Sequence, residues 1–338
     1  MAVTSRDIAR IVGVSVSTVS RSLNDNPRIS VGTREKIKRV AAELDFEFDA
    51  SARSLSTRRS GTVALVCPDS IERFDNGLYV NLLIHDLRRS LAARGLDCLV
   101  TEAAPPSGPS TIRRLVLQRK VDGILLLLAG TMPEDWTLIR KRGIPVVQVH
   151  YAPSYFDADR LDYFFTDNLT GGRLAARALF ESGSRRIAYL AAPSPNLEMA
   201  DRERGLRAGL AEFGLVPDER LRLEVENSYE KTYEFVRANI ATLKRADGLF
   251  AITDLMALAS MRALAEEGVE VPRDLRLVGY DDIDMASHSF PPLTTIRQPL
   301  TEAGAAMVDS LVHLLDGQTP DSLRLRTTLI VRASTARV

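Results

Sequence analysis

The chain of 338 residues is poor in the residues that build disulfides and zinc sites, with two cysteines and four histidines. Cys67 and Cys98 lie inside apolar, strand-like runs and lack metal-ligand spacing, so we expect both to be buried and reduced. The four histidines are scattered along the chain. We therefore predict no zinc site and no other metal site.

Long apolar segments are also missing. No apolar run approaches the roughly 20 residues of a membrane-spanning helix. The first residues, MAVTSRDIARIV, form a polar amphipathic pattern without the apolar core of a signal peptide. We therefore expect a protein that stays in the cytoplasm of a bacterial cell and has no membrane partner.

Signatures of common enzyme classes are absent as well. The sequence contains neither the G-x-x-x-x-G-K-[ST] phosphate loop nor the G-x-S-x-G turn of a nucleophilic serine. Gly171 and Gly172 open a helical segment but lack dinucleotide-binding spacing, and Asp281 and Asp282 have no histidine cluster beside them to complete a metal site. We predict that the protein is not an enzyme, with no catalytic residues and no cofactor.

Charge is distributed unevenly along a chain that is long enough for two or three domains. The formal net charge is zero, yet residues 1–60 contain eleven Lys and Arg against seven Asp and Glu, an excess of four positive charges. A basic head on an acidic body fits a nucleic-acid contact at one end, although a solvated helical face gives the same excess.

Three short helices are predicted within residues 4–45. Thr4 is the expected N-cap of the first helix, with Asp7 three residues later in capping-box spacing. The sequence Gly-Val-Ser at 13–15 ends that helix, and residues 16–24 form the second. The loop NDNPRIS leads to a third helix over about 31–44.

The second helix is unusually rich in small hydroxyl side chains. Two helices joined by a glycine-containing turn make a helix-turn-helix, whose second helix enters a DNA major groove about 12 Å wide. Val19 and Leu23 would face the core, leaving outward Val16, Ser17, Ser20 and Arg21. Ser hydroxyls can donate to phosphates and Arg can bind a guanine edge. A three-helix bundle without a DNA role is the alternative, but an exposed Ser and Thr face serves no packing purpose.

Three segments together resemble the lactose-repressor (LacI/GalR) family of transcription factors: IARIVGVSVSTVSRSLN, RISVGTREKIKRVAAELDF and ASARSLSTRRSGTVALV. The resemblance extends essentially from end to end. It implies that Val16, Ser17 and Arg21 select the operator sequence. It also implies backbone contacts from Ser15, Ser20 and Asn24, and we add Thr4 and Ser5 to the predicted DNA-binding residues.

The segment DASARSL, residues 49–55, has the length of two helical turns with Asp49 as cap. Such a helix is marginal alone in water, so its formation should depend on DNA and on a partner subunit. The resemblance implies paired hinge helices in the minor groove, with Leu55 wedged between base pairs and Ala52 near the groove floor. The family usually has Pro-Asn where Phe48 and Asp49 stand, and a flexible tether is the alternative.

Beyond Gly61, strands and helices alternate. Strand-like runs at 62–67, 97–102, 122–128 and 145–150 form one series, and runs at 186–191, 247–253 and 275–281 form another. The pattern predicts an α/β fold with two Rossmann-like, parallel-sheet lobes similar to periplasmic binding proteins.

The predicted domains are a headpiece at 1–47, a hinge at 48–60 and an effector-binding and dimerisation domain at 61–338. We place the first lobe at about 61–160 with a crossover near 290–300. The second lobe is predicted at about 161–290 plus 300–338.

A ligand cleft is expected where the strands end, because open α/β sheets bind ligands at their carboxyl edges. Polar and aromatic residues follow the strands there, and Arg202 aligns with the effector-gripping arginine of the family. The predicted effector-binding residues are Asp69, Ser70, Phe74, His150, Arg202, Asn227, Thr253 and Asp281. Asp254 is assigned as the N-cap of the helix that follows.

A ring of carboxylates, a guanidinium and an aromatic face suits a sugar or sugar derivative as the effector. Two departures from the family leave its identity open: His150-Tyr151 replaces Asp-Arg, and Thr253 replaces the usual Asn. A purine base or nucleoside is the alternative effector, and a histidine in the cleft favours a sugar acid or phosphate.

The expected function is a sequence-specific, operator-binding repressor whose DNA affinity responds to the effector, with the sign of the response left open. Two half-sites require a homodimer, with candidate interfaces in LYVNLLIHDLRRSLAARG and LMALASMRALAEEG. The rival classes, a two-lobed solute-binding protein and an enzyme without a DNA role, do not explain the helix-turn-helix head.

Overall fold

The computed structural model describes residues 3–46, 59–67, 74–103, 110–127, 133–149, 162–193, 197–319 and 323–336. The chain divides into two compact units, Met1–Gly61 and Thr62–Val338. None of the described helices is long and apolar enough to cross a membrane.

Within residues 3–46, the amino-terminal unit is a bundle of three helices, α1 (Ser5–Val12), α2 (Val16–Leu23) and α3 (Val31–Glu43). One side chain from each helix is fully buried, namely Ile8, Val19 and Ile37. These three side chains meet in one small apolar cluster. The three helices predicted from the sequence are confirmed. Helices α2 and α3 each end one residue earlier than predicted.

The described part of the larger unit contains two six-stranded sheets. The strands are Thr62–Cys67 (β1), Asp97–Glu102 (β2), Gly123–Leu127 (β3), Val146–Val149 (β4), Asp162–Thr166 (β5), Ile187–Ala191 (β6), Arg222–Glu224 (β7), Gly248–Ala251 (β8), Arg276–Asp281 (β9), Thr294–Arg297 (β10), Leu323–Leu325 (β11) and Thr328–Ile330 (β12). The first sheet has the order β11-β5-β4-β3-β1-β2 and the second β12-β10-β9-β8-β6-β7. All described pairings are parallel except β10 with β12.

Helices cover the faces of these sheets. They are Phe74–Ala92 (α4), Thr111–Leu117 (α5), Pro133–Arg142 (α6), Asn168–Glu181 (α7), Leu197–Glu212 (α8), Tyr229–Ala238 (α9), Ile240–Leu243 (α10), Asp254–Glu266 (α11), Asp284–His288 (α12) and Leu300–Leu315 (α13). Alternate residues of β1 enter different cores, since Val63 packs in one apolar cluster and Ala64 in another. A strand buried on both faces must be apolar throughout, which is why TVALVC was readable as a strand.

Both cysteines are free, as predicted, but only one is fully buried. Cys67 is 1% exposed in the inner strand β1, and burial raises the pKa of its thiol to about 12. Cys98 is half-buried because β2 is the edge strand of its sheet. The prediction that Cys98 is buried is therefore wrong in degree.

Helix α13 and strand β11 belong to the first lobe, so the prediction that assigned these elements to the second lobe is wrong. Met307, Val308 and Leu311 of α13 lie in the same core as Val63 and Leu65 of β1. The apolar stripe of α13 was visible in the sequence, but it does not show which sheet it covers. Strand β11 then extends the first sheet, and β12 joins the second.

Helices α7 and α8 pack backbone against backbone. A Cβ atom on Gly172 would lie 2.2 Å from the carbonyl oxygen of Arg202, and one on Gly205 would lie 2.2 Å from the carbonyl oxygen of Leu169. Glycine is therefore required at both positions for close approach of the two helices. Gly172, in the pair that lacks dinucleotide spacing, serves this packing, whereas Gly171 lies against the Tyr280 ring.

Asp254 is a buried joint between three elements of the second lobe, and assigning it as the N-cap of α11 was wrong. Thr253 is the N-cap, and its side chain accepts a hydrogen bond from the Met256 amide. The Asp254 carboxylate accepts from the Ile283 amide at 3.0 Å and from the Thr295 hydroxyl at 2.5 Å. Burial, followed by the nearby Asp281, raises the pKa of Asp254 to about 8.

Replacing Gly205 with alanine should lower the free energy of unfolding by about 1–3 kcal/mol or more, because the new methyl group meets backbone that cannot rotate away. The matched control is Gly32→Ala, since no atom lies within 4 Å of a Cβ at that helical position. We expect Gly32→Ala to be neutral or stabilising by at most about 1 kcal/mol. Urea denaturation measures both, and equal effects of the two changes would contradict the close packing of α7 and α8.

Asp254→Asn should change how stability depends on pH. Because the pKa of folded Asp254 is raised to about 8, its contribution to stability is full below the unfolded pKa and is lost as pH rises through the folded value. Asparagine does not titrate. The melting temperature of the variant minus that of the wild type should therefore increase as the pH rises from 5 to 8. Parallel melting profiles for the two proteins across that range would show that Asp254 binds no extra proton on folding.

Candidate nucleic-acid interface and ligand cleft

The outward face of α2 presents the side chains that the sequence placed there. Val16 is 44% exposed, Ser17 and Arg21 are also exposed, and Val19 on the opposite face is fully buried. The Arg21 guanidinium makes no hydrogen bond or ion pair with any residue that the structure describes. It is therefore available to an external acceptor.

The ends of α2 are held by polar side chains. The Ser15 hydroxyl accepts from the Thr18 amide at 3.1 Å and lies 2.8 Å from the Ser17 hydroxyl oxygen. At the other end, the Asn24 side-chain amide donates to the Ser20 carbonyl at 3.0 Å, and Ser20 itself is half-buried. Ser15 and Asn24 thus fix the length and direction of the helix.

The start of α1 has the capping arrangement predicted from the sequence. The Asp7 carboxylate accepts two hydrogen bonds from Thr4, one from its amide at 3.0 Å and one from its hydroxyl at 2.7 Å. These hydrogen bonds hold the pKa of Asp7 below its usual value. Ser5 begins α1 and is half-buried. The predicted hinge contacts Ala52 and Leu55 lie outside the described residues.

The chemistry of this surface favours a polyanion. Helix α2 contains no acidic residue, and the turn before it is made by Gly13 with φ of +81°. Hydroxyl and guanidinium donors on a slim helix match phosphate oxygens and base edges within a groove.

The second group of predicted residues meets at the carboxyl edge of the second sheet. Asp281 ends β9, Thr253 follows β8 and Arg202 projects from α8. All three are at least 90% buried. The structure thus brings together residues that are up to 79 positions apart in the sequence.

Arg202 is held by hydrogen bonds and by an aromatic ring. Its Nε donates to Asn168 Oδ1 at 2.9 Å, and its Nη1 donates to the Ile252 carbonyl at 2.7 Å and to Asp281 Oδ1 at 3.2 Å. The guanidinium lies 3.8 Å above the ring centroid of Tyr280. Such a guanidinium is pre-organised, because little rotational freedom is left to lose on binding.

Asp281 faces both Arg202 and Gln298. The Gln298 side-chain amide donates to Asp281 Oδ1 at 2.6 Å. Burial raises the pKa of Asp281, while Arg202 and the Gln298 hydrogen bond act against that rise. Its backbone has φ of +119°, a conformation that is costly for a residue other than glycine and that concentrates at functional sites.

Thr253 and Asn227 form a second polar pair in this lobe. The Thr253 hydroxyl donates to Asn227 Oδ1 at 2.8 Å and accepts from the Met256 amide at 3.2 Å. Thr253 therefore caps α11 and orients Asn227 with one hydroxyl. Sequence reasoning proposed both residues without predicting that they touch.

The remaining predicted cleft residues are not placed. Three of them, Asp69, Ser70 and His150, lie outside the described residues. Phe74 is the first residue of α4, and its side chain lies outside the described part of the structure. A cavity of about 510 Å³ lies between the lobes, with Asp281 and Gln298 on one side and Leu82 and Asp86 of α4 on the other. Among the described residues, no cluster of His, Cys, Asp and Glu could hold a metal ion.

Sequence reasoning missed three residues that hold this group, Asn168, Tyr280 and Gln298. Asn168 follows the strand DYFFT, whose aromatic composition was the available signal for β5. Tyr280 directly precedes Asp281, and its ring support for Arg202 has no sequence signature. Gln298 follows β10, a four-residue strand without a long apolar run.

Comparison with protein families agrees with this division of the chain. Residues 4–48 match the model of bacterial regulatory proteins of the lacI family, and residues 176–335 match a periplasmic binding protein-like domain. The first match contains the three helices of the headpiece. The second contains Arg202, Thr253 and Asp281.

Full-length relatives show the same arrangement. The HTH-type transcriptional regulator CelR of Thermobifida fusca is 32% identical over 97% of this chain and 96% of its own length. The ribose operon repressor of Escherichia coli K12 is also 32% identical, over 97% and 98%. The lac repressor dimer bound to operator and an anti-inducer superposes with a TM-score of 0.79 at 25% identity and covers 99% of both chains.

These relatives cover nearly the whole chain, headpiece and lobes together, at an identity that establishes common descent. The protein therefore belongs to the LacI family of bacterial regulatory proteins and is a DNA-binding transcriptional regulator.

Proposed function

We propose that this protein is a repressor that binds a pseudo-palindromic operator as a homodimer in the bacterial cytoplasm. Its operator affinity is set by a sugar or sugar derivative held between the lobes. The observation that carries the ligand part is the Arg202 guanidinium, fixed against Asp281 Oδ1 at 3.2 Å beside the interlobe cleft.

The DNA part of the proposal divides the headpiece residues by role. Val16, Ser17 and Arg21 read base edges, since they are the exposed side chains of α2. The residues that position the helix on the phosphate backbone are Thr4, Ser5, Ser15, Ser20 and Asn24. Ala52 and Leu55 complete the interface from the hinge, within the proposed segment 48–60 that joins the headpiece at 1–47 to the lobes at 61–338.

A polyhydroxylated ligand fits the chemistry of the cleft. The Asp281 carboxylate accepts from neighbouring hydroxyls, Arg202 donates to ring or hydroxyl oxygens, and the Asn227 and Thr253 pair offers further polar atoms. We add Asp69, Ser70, Phe74 and His150 from the first lobe as the opposing contacts. A solved complex of a transcriptional regulator CelR with cellobiose, 32% identical to this chain with a TM-score of 0.71, supports this class.

Regulation follows from linkage. A ligand shifts a conformational equilibrium only by the difference between its affinities for the two states. A sugar that binds one arrangement of the lobes more tightly changes the spacing of the two hinge segments in the dimer. The affinity for operator then changes although the sugar touches no DNA.

Dimerisation is supported by apolar surface on the second lobe. Phe290 is 96% exposed and Met285 is 44% exposed, and both lie in or just after α12. Large apolar side chains exposed together mark association surfaces. We assign this patch to the dimer interface, together with faces of α4 and α11.

Arg21→Ala should weaken binding to the preferred operator by roughly 10- to 100-fold, the usual cost of losing a bidentate base contact. The operator is obtained by selecting random duplexes on the wild-type protein, and affinity is measured by fluorescence anisotropy. The matched control is Arg245→Ala, which removes an exposed arginine of the second lobe. Unchanged operator affinity in Arg21→Ala would exclude this residue from the interface.

Arg202→Lys should reduce the affinity for the bound sugar by about tenfold or more, because lysine keeps the charge but loses the fork of donors. The measurement is isothermal titration of wild type and variant with cellobiose, D-ribose and adenosine. The control is Arg204→Lys, an exposed neighbour on α8. Binding of adenosine alone would replace the sugar proposal with a nucleoside effector, and equal affinities in both proteins would remove Arg202 from the site.

A further inference from the structure

Five buried residues of the larger unit form a closed ring of hydrogen bonds, which we call the hinge ring. Its members are Thr166, Asn168, Arg202, Asp281 and Gln298, each no more than 9% exposed. Two bonds already described join Arg202 to Asn168 and to Asp281, and a third joins Gln298 to Asp281. The ring is closed by the Thr166 hydroxyl, which donates to Gln298 Oε1 at 2.9 Å, and by Asn168 Nδ2, which donates to the Thr166 carbonyl at 3.2 Å.

The ring sits where the chain passes between the lobes. Thr166 ends β5 in the first sheet and Asn168 begins α7 in the second lobe. Gln298 lies between β10 of the second sheet and α13 of the first lobe. The ring therefore ties two interlobe crossovers directly to Arg202 and Asp281.

The third crossover is tied to the same place through the backbone. The Asp167 amide donates to the Leu325 carbonyl at 2.8 Å, and the Thr327 hydroxyl donates to the Asp167 carbonyl at 3.3 Å. Asp167 lies between Thr166 and Asn168. In the described residues, the three crossovers between the lobes therefore meet around residues 166–168. Rotation of the lobes must change backbone dihedral angles at these connections.

The Asp281 carboxylate is the point at which the ligand cleft and the hinge compete. Its Oδ1 atom accepts from both Arg202 and Gln298. A ligand hydroxyl that donates to this Oδ1 atom, or a ligand oxygen that takes a hydrogen of Arg202 Nη1, competes with those hydrogen bonds and alters them. In a buried network such an alteration is costly unless the partners rearrange together.

We propose that the hinge ring transmits occupancy of the cleft to the interlobe crossovers, with Thr166 and Gln298 as positioning residues that act through Asp281 and Arg202. This inference rests on the proposed ligand-binding function of those two residues. It adds that the strength of regulation is set by a threonine and a glutamine outside the predicted set of effector contacts.

Hydrogen–deuterium exchange on the ligand-free, full-length protein tests the ring without knowledge of the ligand. Thr166→Val removes the hydroxyl and keeps the shape, whereas Thr166→Ser keeps the hydroxyl. The reporter is the start of α13, where the Ala303 amide donates to the Pro299 carbonyl at 2.9 Å. This amide is more than 130 positions away from the substitution in sequence, so a purely local effect on β5 leaves it unchanged.

We expect Thr166→Val to speed exchange at Ala303 by about fivefold or more, the size expected for loss of one buried hydrogen bond. Thr166→Ser should stay within about twofold of the wild type. The matched control is Thr111→Val, which alters another buried threonine in the first lobe. The proposal would be overturned if the Ala303 amide exchanged in Thr166→Val at the wild-type rate. It would also be overturned if Thr111→Val accelerated this exchange as much as Thr166→Val does.

A second measurement separates transmission from ligand binding. Operator affinity of the wild type and of Thr166→Val is measured with and without saturating cellobiose and D-ribose, and sugar affinity is measured by titration. If a sugar changes wild-type operator affinity, the same sugar should change the operator affinity of Thr166→Val by no more than about twofold. The sugar affinity of the variant should differ from that of the wild type by less than about threefold, since coupling and binding are distinct quantities. An undiminished response to the sugar contradicts the ring.

The two proposals fail in different ways. Absence of operator binding or of sugar binding by the wild type would refute the proposed function. The exchange experiment would still decide whether the ring couples the crossovers. Loss of coupling in Thr166→Val with intact DNA and sugar binding supports the ring specifically.

Discussion

The buried contact between Arg202 and Asp281 is the interaction on which the arrangement of the second lobe depends. Both side chains are at least 90% buried, with their Nη1 and Oδ1 atoms 3.2 Å apart. Two charges out of water are tolerated only when they are paired and fully hydrogen-bonded. This requirement explains why Asn168, Gln298 and the Ile252 carbonyl converge on the pair.

The same requirement shapes the backbone around the pair. Gly172 and Gly205 let α7 and α8 approach closely enough to place Asn168 beside Arg202. Tyr280 lies under the guanidinium, and its position excludes a side chain at Gly171, where a Cβ would lie 2.2 Å from the tyrosine oxygen. Packing in this lobe and readiness to bind a ligand therefore have one structural origin.

Local sequence pattern was sufficient for much of the fold. The headpiece helices were predictable because caps and turns such as Thr4, Gly13 and Ser15 act within a few residues. The seven predicted strands are present because each is an apolar run. Strands β7 and β12 were missed because they are only three residues long. Strand β5 was missed although its aromatic run DYFFT is a β-strand signal.

The site was predictable only in part, and for a physical reason. Arg202 was named through the family resemblance and Asp281 through its place at the end of a strand, but the bond from Thr166 to Gln298 joins residues 132 positions apart. No local periodicity encodes such a contact. The wrong lobe assignment of α13 has the same cause, since an apolar stripe reveals burial but not the partner surface.

We propose that a headpiece which binds specific DNA is controlled from a cleft in a separate lobed unit. The most direct test is sequencing of genomic fragments retained by the full-length protein, with and without a panel of sugars and nucleosides. We expect that retained fragments share a pseudo-palindromic site and that at least one small molecule changes the occupancy of that site. Retention of fragments with no common sequence, or occupancy that no small molecule in the panel alters, would contradict it.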